Sequence, residues 1–327
     1  MATIEDVAAL AGVSIATVSR VMNNSYIVSQ EKREKVLAAA ATLNYQTNRN
    51  PVRQTENKLI MVAGATFIYD VFTGIQDKAR ENGYDVIFQY MNSRANRIQS
   101  TTLFSRGMID GIILLNYRDD DNELGELAAN MPIVQCGGSL PFPGGITVSI
   151  NNEQAARDAV GHLHNQGRRR IALALPEYAD FTPLYMTERA KGYRLALHEY
   201  GLTFDERLVF HSDLSSESLA ENVSSLLALA NRPDALFCVN DSLAAGFLSG
   251  LISRGIVIPR DIAIVGFDND DITELQNPPL TSINQPRYEI GCECVRMLLA
   301  QMKEDCIIGR HVQLSHNLIV RESSQLL

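Results

Sequence analysis

Two stretches of this chain have the residue types and spacing to do chemistry. Ser14, Ile15, Ala16 and Thr17 open a helical pattern, and Ser19 and Arg20 follow one turn later. Arginine forms a bidentate pair with guanine that is worth about 1–3 kcal/mol of discrimination. Ile15 and Ala16 offer apolar contact to thymine methyls. Ser14, Thr17, Ser19 and Asn23 are short polar groups suited to phosphate oxygens, which set register rather than sequence. The second stretch lies where strands end. Asn240-Asp241 directly follows the run Ala235–Val239, and Asp268 directly follows the run Ile262–Phe267. Ligands of parallel sheets bind beyond the carboxyl ends of strands. Asp241 or Ser242 could equally cap the helix that follows.

Other chemically suggestive residues carry less. Cys292 and Cys294 lie on a helical pattern whose geometry points them apart, and two thiols alone do not make a zinc site. His162 and His164 have the same spacing and share no helix face. The turn around Gly64 has neither the Rossmann nor the P-loop spacing. No Ser/His/Asp arrangement, nucleophile elbow or carboxylate pair stands out. The sequence therefore calls for no metal, no cofactor and no enzymatic activity. The alternative is a sugar- or nucleoside-processing enzyme with an accessory DNA-binding head, which needs a base or nucleophile in its cleft.

The elements that position Arg20 form a small helical head. Thr3 caps a helix with Glu5 and Asp6 in its first turn, where the helix dipole favours acids. Ile4, Val7, Ala8 and Ala11 mark its buried face, and Gly12 stops it. Ser14 caps the second helix, with Val18 and Val21 inward. Ser29 caps a third, whose apolar face is read as Val36, Leu37, Ala40 and Leu43. Helix, glycine-containing turn and helix make the helix-turn-helix pattern, which puts the start of the second helix against base edges. Residues 47–58 are polar with a central Pro51 and read as a linker, whose Arg49 and Arg53 can enter a minor groove. The candidate DNA contacts are thus Thr3, Ser14, Ile15, Ala16, Thr17, Ser19, Arg20, Asn23, Arg49 and Arg53.

The charge follows the same division. The 327 residues hold 38 acidic and 29 basic side chains, a net charge of -9. Residues 1–58 carry seven basic and five acidic groups, which leaves 22 basic and 33 acidic in the rest. A weakly basic head sits on an acidic body. No apolar run approaches the roughly 18 residues of a membrane span. The N-terminus has no signal-peptide pattern, and the five cysteines are odd in number. These features predict a cytoplasmic protein with reduced thiols and no membrane partner.

Beyond Lys58, β-branched runs alternate with amphipathic stretches. The runs are Leu59–Ala63, Asp85–Gln89, Gly111–Leu115, Ile133–Cys136, Ile146–Ile150, Ile171–Leu175, Ala235–Val239 and Ile262–Phe267. Such alternation means parallel sheets covered by helices. So many strands predict two doubly wound subdomains with a ligand cleft between them.

The head resembles that of the lactose/galactose repressor family. The resemblance is carried by Thr3–Ala8, Ala11–Ser14, Ala16–Val21, Val28-Ser29, Arg33–Val36 and Leu43–Tyr45. It extends through the body at Asp110–Ile113, Arg189–Tyr193, Asn240–Gly246 and Val265–Asp268. Pro278–Ile283 with Gln285–Gly291 is similar to the cytidine-repressor branch. The resemblance implies a helix-turn-helix head at residues 1–46, a hinge at 47–58 and a periplasmic-binding-protein-like body at 59–327. It divides the body into an N-subdomain (59–152 and 285–311) and a C-subdomain (153–284 and 312–327), with crossings near 150–156, 282–287 and 310–314. It also implies a homodimer on a near-palindromic operator of double-stranded DNA. The function it implies is that of a transcriptional regulator, a repressor, controlled by a small polar effector of the sugar or nucleoside class. Its effector residues map to Phe67, Ile68, Arg189, Asn240, Asp241 and Asp268, and Leu214 falls where many members stack an aromatic ring. The sequence departs from the family in the hinge, where no leucine lies between Tyr45 and Leu59 to wedge into the minor groove. A weakened hinge helix and modest DNA bending are expected. The short, heptad-free C-terminus argues against a coiled-coil tetramer.

Overall fold

The computed structural model describes residues 3–22, 30–43, 58–64, 66–90, 103, 107–115, 131–137, 145–177, 183–303 and 310–325. The chain divides into two compact units, residues 1–57 and 58–327.

In the first unit, α1 (Ile4–Ala11), α2 (Ile15–Met22) and α3 (Gln30–Thr42) form a helical head. Thr3 and Asp6 make a reciprocal capping box. The Asp6 N–H donates to Thr3 Oγ1 at 3.3 Å, and the Thr3 N–H donates to Asp6 Oδ2 at 2.8 Å. Gly12 ends α1 at φ 65, a left-handed conformation that glycine adopts without strain. Ser14 caps α2 by accepting the Thr17 N–H at 3.2 Å. Val7, Ala8, Ala11, Val18, Val21, Val36, Ala39 and Ala40 form the core. Leu37, expected inward, is exposed. Positions 36, 39, 40 and 43 lie on one helix face, and residue 37 is about 100° round from it.

The second unit contains two sheets, each six-stranded among the described residues. The first holds β1 (Leu59–Gly64), β2 (Asp85–Tyr90), β3 (Gly111–Leu115), β4 (Ile133–Cys136), β5 (Ile146–Ile150) and β11 (Arg310–Leu314), in the order β11-β5-β4-β3-β1-β2. The second holds β6 (Ile171–Pro176), β7 (Val209–Ser212), β8 (Ala235–Cys238), β9 (Ala263–Asp268), β10 (Thr281–Asn284) and β12 (Asn317–Ile319), in the order β12-β10-β9-β8-β6-β7. All the described pairings are parallel except β10 with β12. Each sheet reverses its winding beside its first strand, between β1 and β3 and between β6 and β8. Doubly wound sheets receive ligands at such points.

Helix α4 (Tyr69–Glu81) and α10 (Arg287–Lys303) pack together against the first sheet. Their backbones touch because two glycines face the contact. A methyl group at Gly74 would run into the Tyr288 carbonyl, and one at Gly291 into the Val71 carbonyl. Helices α5 (Asn152–Asn165), α6 (Leu184–Glu199), α7 (Ser216–Ala228), α8 (Asp241–Ile252) and the short α9 (Ile272–Leu275) accompany the second sheet.

The chain passes between the sheets at Asn151, at Gln285-Pro286 and at Ser315-His316. The third passage lies beyond the expected 310–314. The reason is pairing: β11 stays in register with β5 as far as Leu314 opposite Ile150, so Val312–Leu314 belong to the first sheet. No helix among the described residues is long and apolar enough to cross a membrane.

Candidate functional site: a DNA-reading head and a polar cavity

The head presents a helix start dressed with small polar groups. The Ser14 and Thr17 hydroxyls share a hydrogen bond of 2.9 Å. Thr3 Oγ1 donates to Asp6 at 2.9 Å, so its hydroxyl hydrogen is committed within the cap. Ile15 is 48% exposed at the first turn of α2, an aliphatic side chain left out of the head's core. The backbone of Ala16, Ser19 and Arg20 lies within α2. Their side chains, with Asn23, Arg49, Arg53 and the hinge, fall outside the described residues.

In the second unit, the ends of strands from both sheets converge on a cavity of about 220 Å³. Thr66 and Ile68 follow β1, Cys136 ends β4 and Gly137 follows it, Ser149 comes from β5, Asp268 ends β9, and Gln285 follows β10. Asn152, Tyr185, Arg189 and Arg287 reach it from the starts of α5, α6 and α10.

Arg189 is the anchor of this wall and only 2% exposed. Its Nε donates to Asn152 Oδ1 at 3.0 Å and its Nη1 to the Val239 carbonyl at 2.6 Å. Its Nη2 lies 3.2 Å from Asp268 Oδ1. The guanidinium carbon sits 3.5 Å from the Phe267 ring centroid and 4.8 Å from that of Tyr185. A buried arginine is tolerable only with its donors and charge matched, and here carbonyl oxygens, Asp268 and two aromatic faces match it.

Asp268 links three elements. Besides Arg189, Gln285 Nε2 donates to its Oδ1 at 2.6 Å, and Arg287 Nη2 lies 3.4 Å from its Oδ2. Arg287 also pairs with Asp270. Burial works against the Arg287 charge, and Asp268 and Asp270 outweigh it, so the pKa is raised. Two guanidiniums are thus balanced by two carboxylates at the cavity.

The turn that displays Asp268 is strained. Asp268 and Asn269 have φ of 109 and 55, rare for residues with side chains. Asp241 holds this turn from behind. Fully buried, it accepts the Asp270 N–H at 2.8 Å and the Ser282 hydroxyl at 2.6 Å. Ser282 Oγ in turn accepts the Asn269 N–H at 3.0 Å. Burial, reinforced by the nearby Asp268 charge, pushes the Asp241 carboxyl up to about 8.

Of the residues singled out from sequence, Ile68, Arg189 and Asp268 meet at the cavity. Asn240 caps α8 by accepting the Leu243 N–H at 2.8 Å, and Asp241 lies behind the cavity rather than lining it. Phe67 is 48% exposed and packs on Phe72 and Phe88, with ring centroids 4.9 and 5.1 Å away. Leu214 is exposed beyond β7, at φ 69. Ser149, Asn152, Tyr185, Gln285 and Arg287 carry no site role in the sequence reading. Their common signal is position, immediately at a strand end, a crossing or a helix start.

A helix-turn-helix head joined to a two-sheet body with a polar cavity defines a ligand-controlled DNA-binding regulator. Comparison with known proteins agrees for both units. Residues 3–48 match the family of bacterial regulatory proteins, lacI family, and residues 160–324 match the periplasmic binding protein-like domain. The chain is 35% identical to the HTH-type transcriptional repressor CytR of Escherichia coli (strain K12), over 100% of this chain and 97% of the relative. It superimposes on the transcriptional regulator CelR–cellobiose complex with a TM-score of 0.74 at 31% identity, covering 99% of this chain and 100% of the other. Against the lac repressor dimer bound to operator and the anti-inducer ONPF, the TM-score is 0.72 at 26% identity, with 99% of each chain covered. The chain belongs to the lacI family of bacterial regulatory proteins. It is a transcriptional repressor governed by a small effector, not an enzyme.

Proposed function

We propose that this repressor binds a near-palindromic operator as a cytoplasmic homodimer and takes a neutral effector of the sugar or nucleoside class in the 220 Å³ cavity. The charge balance of Arg189 and Arg287 against Asp268 and Asp270 carries the effector reading. Neither guanidinium offers unpaired positive charge, so a phosphorylated ligand gains little there. Arg, Asp and Ser groups fixed around a partly enclosed cavity suit hydroxyls and amides instead.

Arg20, Ile15 and Ala16 on α2 would read bases. Ser14, Thr17, Ser19 and Asn23 would hold the phosphate backbone, with Thr3, Arg49 and Arg53 as flanking contacts. Dimerisation supplies the second head. Large apolar side chains on the body's surface, Leu275 at 81% exposed among them, provide material for such a contact. The effector acts by binding two arrangements of the body unequally, typically by about 1–3 kcal/mol of coupling.

The experiment is a thermal-shift screen of the purified chain against sugars, nucleosides and their phosphates, followed by operator titration with each hit. A neutral hit that changes operator affinity is expected. A screen in which only phosphorylated compounds stabilise the protein would overturn the neutral class.

A further inference from the structure

Ser149 lines the cavity from β5. Its hydroxyl oxygen lies 2.9 Å from Nε2 of His311, which stands on the neighbouring strand β11. Ser149 is buried and His311 is exposed, so protons reach the ring without entering the cavity. The charged group whose field acts on the ring is Glu188, on α6. Arg310 adjoins it on its own strand, and Ser149 is its polar neighbour on β5. Glu188 accepts a hydrogen bond from Asn152 Nδ2 at 3.2 Å, and Asn152 Oδ1 accepts one from Arg189. His311 is therefore tied to the cavity through Ser149, while Glu188, whose charge it feels, belongs to the Asn152–Arg189 network of the opposite wall.

An imidazole hydrogen-bonds in two senses at Nε2. In the neutral ring with its hydrogen on Nδ1, Nε2 accepts. The Ser149 hydrogen is then committed to the ring, and only oxygen lone pairs face the cavity. In the imidazolium, Nε2–H donates to Oγ, and the Ser149 hydrogen is free to turn inward. The neutral Nε2–H tautomer donates as the imidazolium does, so one wall atom offers the ligand an acceptor beside the Nδ1–H tautomer and a donor once the ring is charged. We propose that His311 is a specificity-determining residue of the effector site, acting through Ser149 by setting the sense of that hydroxyl toward the bound molecule. The inference rests on the effector reading of the cavity and adds a requirement to it, a hydrogen-bonding group of the ligand facing Ser149. The partial desolvation of the ring on its strand lowers the His311 pKa, and Glu188 partly restores it. The change of state therefore falls below the ordinary imidazole value of about 6.5.

The test uses the full chain and has two arms. In the first, the ring carbons of labelled histidine are titrated by NMR in wild type, Ser149→Ala and Glu188→Gln, with His311→Gln assigning the signal. The midpoint is expected to move in both variants, downward in Glu188→Gln. A midpoint indifferent to both substitutions overturns the link. In the second arm, the affinities of cytidine, uridine, adenosine, inosine, D-ribose and D-glucose are measured by calorimetry between about pH 5 and 8. Affinity for a probe that binds is expected to change about threefold to tenfold across that range, the worth of one hydrogen bond. His311→Gln keeps binding and flattens the profile. Binding with the same profile in wild type and His311→Gln sinks the inference alone. If none of the six probes binds at any pH while the ring still responds in the first arm, the effector class is wrong and the specificity role falls with it.

Discussion

The Asp270 backbone N–H donates to the buried Asp241 carboxyl across 2.8 Å, and this bond holds the turn on which Asp268 is displayed. Asp241 thus serves the cavity without entering it, as a brace for a left-handed backbone.

That brace has a pH signature. The Asp241 pKa rises from an ordinary 3.8 to about 8 on folding. Between those values the folded chain holds a proton that the unfolded chain has released. Its stabilising contribution is therefore complete below about pH 4 and is lost as pH rises toward 8. Urea denaturation from pH 5 to 8 should show stability falling with pH through this group, and Asp241→Asn should flatten that component. An unchanged slope in the variant would rule the brace's titration out.

Arg189→Lys keeps the charge and removes the fork. One ammonium cannot serve Asn152 Oδ1, the Val239 carbonyl and Asp268 together. The unpaired acceptors should cost about 1–3 kcal/mol of stability. Affinity for the thermal-shift hit should fall about tenfold or more, roughly 1.4 kcal/mol. Calorimetry showing wild-type affinity would remove Arg189 from the effector site.

Gly291→Ala should destabilise the body by about 1–3 kcal/mol, because the added methyl meets the Val71 carbonyl and the helices must part. Gly74→Ala should do the same against Tyr288. Gly255→Ala is a control of another kind, since nothing lies within 4 Å there but its φ is 80 and any cost is backbone strain. Chemical denaturation separates these cases.

In the head, Ser14→Ala removes the cap of α2 and should cost about 1 kcal/mol of stability. Arg20→Ala should spare folding and cost about 1–3 kcal/mol of operator discrimination. Fluorescence anisotropy with operator and scrambled duplexes reads the difference. Equal discrimination by wild type and Arg20→Ala would displace the reading helix.

The head was legible because its determinants are local. Thr3 with Asp6, Gly12, and Ser14 with Thr17 are contacts within four residues, and the sequence spells them directly. Buried parallel strands such as Gly111–Leu115 were legible as unbroken apolar runs. The short strand β7 and the edge strand β11 were not, since each supplies only two apolar residues, too few to stand out as a run. The cavity was only partly legible. Asp268 announces itself by following a strand, but Ser149, Asn152, Gln285 and Arg287 become neighbours only when crossings far apart in the chain bring both sheets together. Asp241 and Asn240 follow a strand just as directly, and their side chains are occupied in bracing and capping.

Among the described residues, three strands of backbone join the two sheets, at Asn151, at Gln285-Pro286 and at Ser315-His316. A joint held by three tethers resists separation and sliding far more than it resists turning. On the proposed reading, an effector seated between the sheets acts through the angle at this joint, as a goniometer would, and turns the chemistry of a small molecule into a rotation.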